Sequence, residues 1–366
     1  MSAAIPRRTG IANLPLHYGR VPPWLFDRMV KLAREIVIAI VADFGAEEML
    51  RRLSHPYWFQ AFGCILGYDW HSSGVTTTLC GALKEGLKGL EQDLGLFIAG
   101  GKGKASRRTP EEIEHWGDSL SLNPVPLVYA SRMSAKVDNS AVQDGYQLYH
   151  HSFLFTKGGS WAVIQQGMSE ATRYARRYHW LGEQVSSFVN EPHSAVLSEV
   201  RGKALNLVAA ESDPARTTIA NIAINQKPHE ILAELKKLKT LTLPPHHYLT
   251  TQDLHPDSLG RILLSTYERQ PEDFEQLLGL QGVGPKTIRA LSLISELVYG
   301  VAPSYRDPAR YSFAHGGKDG VPYPVDRTTY DQSIELLRKA INKTKLGIRE
   351  KREALNRLNR VGYLEK

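Results

Sequence analysis

Apolar side chains in the first 200 residues recur with helical spacing in some segments and strand spacing in others. A helix is predicted from Trp24 to Phe44, where apolar residues return every three or four positions and Gly45 follows. The other predicted elements are helices over Gly81 to Leu94, from Thr109, and over Ser140 to His151, a strand over Leu127 to Met133, and a hairpin from Phe153 to Gln165. This pattern predicts an α+β domain with antiparallel strands over residues 1–200.

Helical spacing dominates from about residue 203. Helices are predicted over Ala204 to Glu211, His229 to Leu238, His255 to Glu268, Phe274 to Leu278, Lys286 to Val298, Thr328 to Lys343 and Ile348 to Leu358. Proline-containing breaks separate them. We therefore predict an all-α domain over residues 201–366, with the boundary between residues 190 and 201.

The composition is that of a globular protein, and its most informative feature is where the charge lies along the chain. The 366 residues are 42% hydrophobic, and the two cysteines cannot form a disulfide framework, so we expect a reduced, cytoplasmic protein. The start lacks a signal-peptide pattern, and the apolar run from Ile36 to Val41 is too short to span a membrane. Of the net charge of +7, residues 327–366 hold most, with 11 basic and 5 acidic side chains. A local basic excess favours a polyanionic partner.

The most specific motif runs from Leu277 to Ile288 and contains the turn Gly282-Val283-Gly284, followed by Pro285, Lys286 and Thr287. Glycines between two helices permit close backbone approach, so that amides at the start of the second helix can hold an anion. The motif resembles the helix-hairpin-helix of DNA repair proteins, which implies contact with a DNA phosphate through Gly282, Gly284, Lys286 and Thr287. An ordinary helical hairpin with a glycine-rich turn is the alternative.

A second segment, Val321 to Arg327, extends this resemblance. Together with the hairpin it is similar to helix-hairpin-helix DNA glycosylases of the endonuclease III and archaeal 8-oxoguanine types. The resemblance places Lys286 at the position of a Schiff-base lysine and Asp326 at that of a carboxylate assisting base departure. An insert from Tyr305 to Gly320 makes the spacing between Lys286 and Asp326 longer than is usual in the family. Lys318, which lies in this insert, is a further DNA-contact candidate. Lys286 as a phosphate contact and Asp326 as a helix cap are the alternatives.

Polar groups of the first half suggest a second kind of chemistry. Acid and imidazole groups near predicted strand ends suit a metal-assisted phosphodiesterase, with a divalent ion such as Mg²⁺ or Mn²⁺. The candidate catalytic residues are Asp69, His71, Asp138, Asp144 and His151, of which Asp138, Asp144 and His151 are the predicted metal ligands. The candidate phosphate contacts are Lys102, Lys104, Arg173, Arg176 and Arg177. The arrangement is similar to that of restriction-type nucleases but lacks their Glu-x-Lys strand. For each histidine taken singly, a hydrogen-bonded structural role is the stronger interpretation.

The whole chain also resembles a prokaryotic family of unknown function found in archaea and thermophilic bacteria. The residues that carry this likeness are Gly19 to Phe26, Asp69 to Ser73, Gln143 to Tyr146 and the glycine hairpin. From the residues we predict a metal-dependent nuclease that acts on structured or damaged DNA. The alternatives are a glycosylase and lyase using Lys286 and Asp326, and a non-enzymatic DNA-binding architectural protein. DNA is the expected partner, no membrane is expected, and assembly into a homo-oligomer is left open.

Overall fold

The computed structural model describes residues 21–67, 74–198, 201–238, 256–310 and 327–362. The helices are α1 (Pro23–Phe44), α2 (Ala46–Ser54), α3 (Pro56–Leu66), α4 (Gly74–Leu87), α5 (Glu91–Leu94), α6 (Lys104–Arg107), α7 (Thr109–Leu120), α8 (Val125–Lys136), α9 (Asp213–Asn225), α10 (Pro228–Leu238), α11 (Pro256–Arg269), α12 (Phe274–Gly279), α13 (Pro285–Leu297), α14 (Arg327–Lys343) and α15 (Ile348–Gly362). The strands are β1 (Leu96–Lys102), β2 (Val142–Gln143), β3 (Gln147–Thr156), β4 (Trp161–Met168), β5 (Ala175–Leu181), β6 (Ala195–Ser198), β7 (Lys203–Asn206) and β8 (Ser304–Arg306). A π-helical turn, Val137–Ala141, joins α8 to β2.

An antiparallel sheet of five strands, in the order β1-β3-β4-β5-β6, lies between two helical layers. Alternate side chains of a strand point to opposite faces, so each face has its own core. One face carries Leu154 and Ile164 and packs with α1 to α4, while the other carries Phe153 and Trp180 and packs with α8 to α13. Because both faces are covered, the strands are buried nearly throughout and show no polar face in the sequence.

The α+β class is confirmed, and several predicted elements match the structure. The helix α1 ends where Gly45 was predicted to end it, and Gly45 adopts a φ of 87°. The predicted hairpin forms as β3 and β4, with Phe155 opposite Trp161. The predicted helices that start at His229, His255, Phe274, Lys286, Thr328 and Ile348 correspond to α10 to α15.

Three predicted elements are wrong. The segment Leu127 to Met133 is helical within α8, where Leu127, Val128, Ser131 and Ser134 are buried at helical spacing. Most of Ser140 to His151 is β2 and β3 instead of a helix, so the inference that Asp144 and His151 share a helix face is also wrong. The segment Ala204 to Glu211 contains β7 and a 3₁₀ turn, because pairing with β2 and β8 overrides its helical propensity.

The strands β7 and β8 also depart from the all-α prediction for residues 201–366. The boundary between residues 190 and 201 stays a prediction, but both core clusters draw on both of its sides. The first joins α1 to α4 with Leu337 and Leu358 of the C-terminal helices, and the second joins the sheet to α9 to α13. The C-terminal helices α14 and α15 thus pack on α1 and α3.

One end of the five-stranded sheet is polar on both faces, and we call it the polar end. Neighbouring strands there align His151 with Gln165 and Tyr178 on one face, and His150 with Gln166 and Arg177 on the other. All six side chains are buried. Buried polar groups destabilise a fold unless they are hydrogen-bonded, so this end requires an internal network.

Gly100 of β1 provides a test of how tightly the polar end is packed. Its φ is +86°, and a Cβ there would overlap the His151 carbonyl oxygen and the Thr109 hydroxyl. We expect Gly100→Ala to lower the free energy of unfolding by about 2–4 kcal/mol, from the left-handed backbone and the overlap together. The control is Gly103→Ala: its φ is +62°, a Cβ there would meet no atom within 4 Å, and the substitution should cost about 1 kcal/mol. Equal losses in urea unfolding would contradict the packing argument.

Candidate functional site

The carboxylate of Asp138 is fully buried in the π-helical turn and accepts hydrogen bonds from three side chains. Gln165 Nε2 lies 2.5 Å and Trp180 Nε1 2.9 Å from Oδ2, and His193 Nε2 lies 2.5 Å from Oδ1. These partners come from β4, from β5 and from the loop before β6. A π-helical turn is rare and is often found at functional sites. Here it places one carboxylate where three separate segments meet.

The protonation of this network follows from the bonds themselves. An ionised carboxylate only accepts, so Gln165 turns its NH₂ toward Asp138 and its Oε1 toward His151 Nδ1, at 2.9 Å. His151 Nδ1 must then carry the proton, and its Nε2 accepts from the Ser131 hydroxyl at 2.9 Å. Burial lowers the pKa of His151, which favours the same neutral form. Both ring nitrogens of His151 are therefore committed to protein partners.

His193 has one ring nitrogen that is not bonded to any described residue. Its Nε2 must donate to Asp138, so in the neutral ring Nδ1 is an acceptor. Across the described residues no hydrogen bond to Nδ1 is formed, and the ring is held edge-on against Trp180 with centroids 4.6 Å apart. His193 lines a pocket of about 240 Å³. The geometry is that of an imidazole oriented by a carboxylate in the wall of a pocket, with its second nitrogen not bonded to any described residue.

Asp144 belongs to a second buried cluster. Its Oδ2 accepts from Arg176 at 2.8 Å and from the Tyr178 hydroxyl at 2.7 Å, and Arg176 also donates to Asp307 at 2.7 Å. The guanidinium of Arg176 stacks on the Tyr146 ring, 4.5 Å from its centroid. Burial raises the pKa of Asp144, and the attraction of Arg176 opposes that shift. This cluster joins β5 to the segment after β8.

On the opposite face of the sheet Arg177 is buried among groups of α3 and α4. It donates to Gln60 Oε1 at 3.2 Å and to the Thr76 hydroxyl at 3.3 Å, and it lies over the Phe59 ring. Burial lowers the pKa of Arg177 to about 9. Thr76 lies in the first turn of α4, shortly after residues 68–73. The predicted catalytic residues Asp69 and His71 are in that stretch and lie outside the described residues.

The helices α12 and α13 and the turn between them, residues 280–284, form a unit that we call the glycine hairpin. Gly282 has a φ of +91° and is exposed, and a Cβ on Gly284 would meet no atom within 4 Å. Lys136 of α8 donates to the carbonyl oxygens of Leu280, at 3.1 Å, and Val283. The turn is thus held through its carbonyls, while the first amides of α13 have no acceptor within the helix.

The predicted DNA contacts divide into exposed and buried groups. Lys102, Lys104, Arg173, Gly282 and Lys286 are exposed, and Gly284 is partly exposed. The Thr287 side chain is buried, so only its backbone amide at the start of α13 remains a candidate phosphate contact. Arg176 and Arg177 are buried, with at most 1% of each residue accessible, so their assignment as phosphate contacts is corrected. Their side chains hold the interior together instead. Lys318 and Asp326 lie outside the described residues.

The predicted metal ligands are not brought to one point. Asp138 and His151 are separated by the Gln165 amide, and Asp144 is neutralised by Arg176. In the described part of the chain no group of three histidine, cysteine or acidic side chains is placed to hold a metal ion. The divalent metal therefore stays a prediction without a ligand set in these residues.

A family model described as "Protein of unknown function (DUF763)" matches residues 10–325. The chain belongs to this family. No curated protein and no solved structure matches the chain. Among the described helices, none is long and apolar enough to cross a membrane.

Several residues of the site were missed by sequence reasoning. His193 lies in the segment interpreted as a domain boundary and Asp307 in the insert, and Trp180 follows the arginines predicted as phosphate contacts. His193 and Asp138 are 55 positions apart, so no local spacing connects them. Lys136 and Gln165 are polar in the sequence, but their partners depend on the fold.

The buried histidines predict acid sensitivity. Burial lowers the pKa of His150 from 6.5 to about 3 and also lowers the pKa values of His151 and His179. The unfolded chain therefore binds protons that the folded chain does not, and stability falls as the pH drops below about 6.5 until it reaches the folded-state pKa. We expect His150→Gln to reduce the slope of unfolding free energy against pH, between pH 6 and 4, by about 1 kcal/mol per pH unit. Urea unfolding across this range tests it, with the exposed His115→Gln as control; an unchanged slope in His150→Gln would contradict it.

Proposed function

We propose that this protein is a DNA-binding enzyme that cleaves the DNA backbone, and that it docks on the phosphates through the glycine hairpin. The observation that carries the docking is the geometry of the turn 280–284. Its carbonyl side is bonded to Lys136, and its glycine side is open. Amides at the start of a helix bind phosphate through their orientation and the helix dipole, without reading sequence.

Charges beside the turn support this assignment. Lys286 is exposed in the first turn of α13, and Arg132 is exposed on α8, which packs against α12. Arg289 donates to Gln143 at 2.6 Å, and Gln143 donates to the Pro285 carbonyl at 2.9 Å. The hairpin is therefore fixed to the body of the protein at α13 as well as at its turn. A rigid docking element positions a bound duplex relative to the rest of the chain.

The enzymatic part of the proposal is supported by the connection between the hairpin and the buried network. Lys136 holds the turn, and Asp138, two residues later, holds His193. Gln143 holds α13, and Asp144 holds Arg176. One short segment thus links the docking element to the only histidine–carboxylate pair that faces a pocket among the described residues. A purely architectural protein needs no such pair.

The glycosylase and lyase alternative would use Lys286 as a nucleophile. Schiff-base lysines are usually desolvated, because loss of water lowers the pKa of the amine. Lys286 is exposed, which suits a phosphate contact better. Its proposed partner Asp326 lies outside the described residues. The glycosylase and lyase alternative is therefore tested with the Lys286→Gln variant below.

The docking is tested by Gly284→Glu. A carboxylate at this open position repels phosphate and occupies the space beside the amides, so we expect affinity for a labelled DNA duplex to fall at least about tenfold. The control is Gln92→Glu, which adds the same charge at an exposed position of α5, a helix that packs on β1 at the edge of the sheet opposite β6. Fluorescence anisotropy measures both, and circular dichroism checks the fold. Equal affinities in the two variants would refute docking through the hairpin.

Lys286→Gln gives a second, quantitative test. If Lys286 neutralises one phosphate, the slope of log affinity against log salt concentration should decrease in magnitude by about 1. The same variant decides the alternative chemistry on DNA with an abasic site. Cleavage that survives EDTA, is trapped by borohydride and is lost in Lys286→Gln would establish a lyase and contradict hydrolytic cleavage.

A further inference from the structure

The pocket beside His193 is formed by segments far apart in sequence. Its walls come from the loop before β6, from β6 and β7, and from the residues after β8. None of the residues in these walls is among the site candidates predicted from the sequence. Three of them determine what the pocket can bind: His193, Asn206 and Arg306.

His193 supplies an oriented proton acceptor. Asp138 holds the ring through Nε2, and His193 lines the pocket, so Nδ1 is the ring nitrogen left to act on a bound group. Only 7% of the His193 side chain is accessible, and the ring cannot turn away without breaking the bond to a buried carboxylate. A general base has this form: an imidazole with one nitrogen held by a carboxylate and the other directed at the reacting group.

Asn206 supplies a buried acceptor that lacks a partner. Its Nδ2 donates to the Arg306 carbonyl at 3.1 Å, which fixes the amide orientation. Its Oδ1 is buried and accepts no hydrogen bond, although Asn206 is 95% buried and lines the pocket. A buried acceptor without a donor is costly, and a hydroxyl group or a water molecule in the pocket would satisfy it.

Two arginines lie at the rim of the pocket. Arg306 pairs with Glu211 at 3.5 Å, and Arg310 pairs with Glu191. All four side chains are substantially exposed, and exposed ion pairs contribute little. Both guanidinium groups can therefore exchange a carboxylate for a phosphate, which they bind in a bidentate manner, while the released carboxylates remain in water.

We propose that this pocket is the site of phosphodiester hydrolysis and that His193 is its general base. Asn206 Oδ1 accepts a hydrogen bond from one O–H of the attacking water, which keeps that proton, and His193 Nδ1 removes the other proton as the new P–O bond forms. The bond from phosphorus to the leaving oxygen breaks, and the proton on Nδ1 is returned to that oxygen. Water and a phosphodiester thus give a phosphomonoester and an alcohol. Asp138 is a positioning residue, and the site deepens the proposed function by locating its chemical step.

The test uses the full-length protein with two substrates, labelled DNA and bis(4-nitrophenyl) phosphate, each with Mg²⁺ and with EDTA. The small diester needs no docking on the hairpin. We expect His193→Gln to lose about 100-fold or more in turnover of both substrates, because it keeps a donor for Asp138 but lacks the base. DNA affinity and the thermal midpoint should be unchanged, and the exposed His115→Gln should retain full turnover.

The outcomes separate the two proposals. Gly284→Glu should lose DNA binding but hydrolyse the small diester at the original rate, so that failure of docking and failure of the pocket are distinguishable. A second readout is the imidazole ¹⁵N spectrum of His193, which should show protonated Nε2 and unprotonated Nδ1, with that preference lost in Asp138→Asn. Full turnover in His193→Gln, no turnover of either substrate by the original protein, or the opposite tautomer would each overturn the assignment.

Discussion

The buried carboxylate of Asp138 is the interaction on which the arrangement of the site depends. A charge without solvent is strongly destabilising unless its oxygens are hydrogen-bonded, so Gln165, Trp180 and His193 must all reach it. These three groups fix the positions of two strands and of the loop before β6. The same bonds determine the tautomers of His151 and His193, because an acceptor at the centre leaves only one consistent set of donors around it.

The segment that carries Asp138 also joins the two parts of the molecule to which a role is proposed. Side chains of residues 136 and 143 bond to the glycine hairpin, and those of residues 138 and 144 bond to the interior of the sheet. A shift of α8 would therefore move the hairpin turn and the His193 ring together. Such coupling does not require a conformational change. It fixes the distance between the proposed docking surface and the proposed catalytic pocket, as the proposed action on a long polymer would require.

Sequence patterns predicted the elements whose stability is mainly local. The helix α1, the β3–β4 hairpin and the later helices have helical or turn signals that tertiary contacts do not oppose. The sheet was harder, since its polar end places His151 and Gln165 where an alternating pattern would require apolar residues. Asp138 and His151 were recognised as unusual, but their roles were not. Whether a carboxylate binds a metal or orients a histidine depends on its partners, and His193 lies 55 residues away.

The basic residues of the C-terminal segment and the glycine hairpin are close in sequence but lie on different faces of the sheet. The basic C-terminal helices pack on α1 and α3, while the glycine hairpin packs with α8 and α9 on the other face of the sheet. Many of their charges are locally balanced, as Lys343 is by Asp43 and Arg349 by Glu353. Packed layers are separated by about 10 Å, so a surface joining the tail to the hairpin would have to pass around a sheet and two helical layers. Proximity in sequence therefore does not make them one footprint. The recognition of phosphate that we propose for the hairpin would therefore depend on its own amides and on Lys286, with the net charge of the chain affecting only the approach of a polyanion.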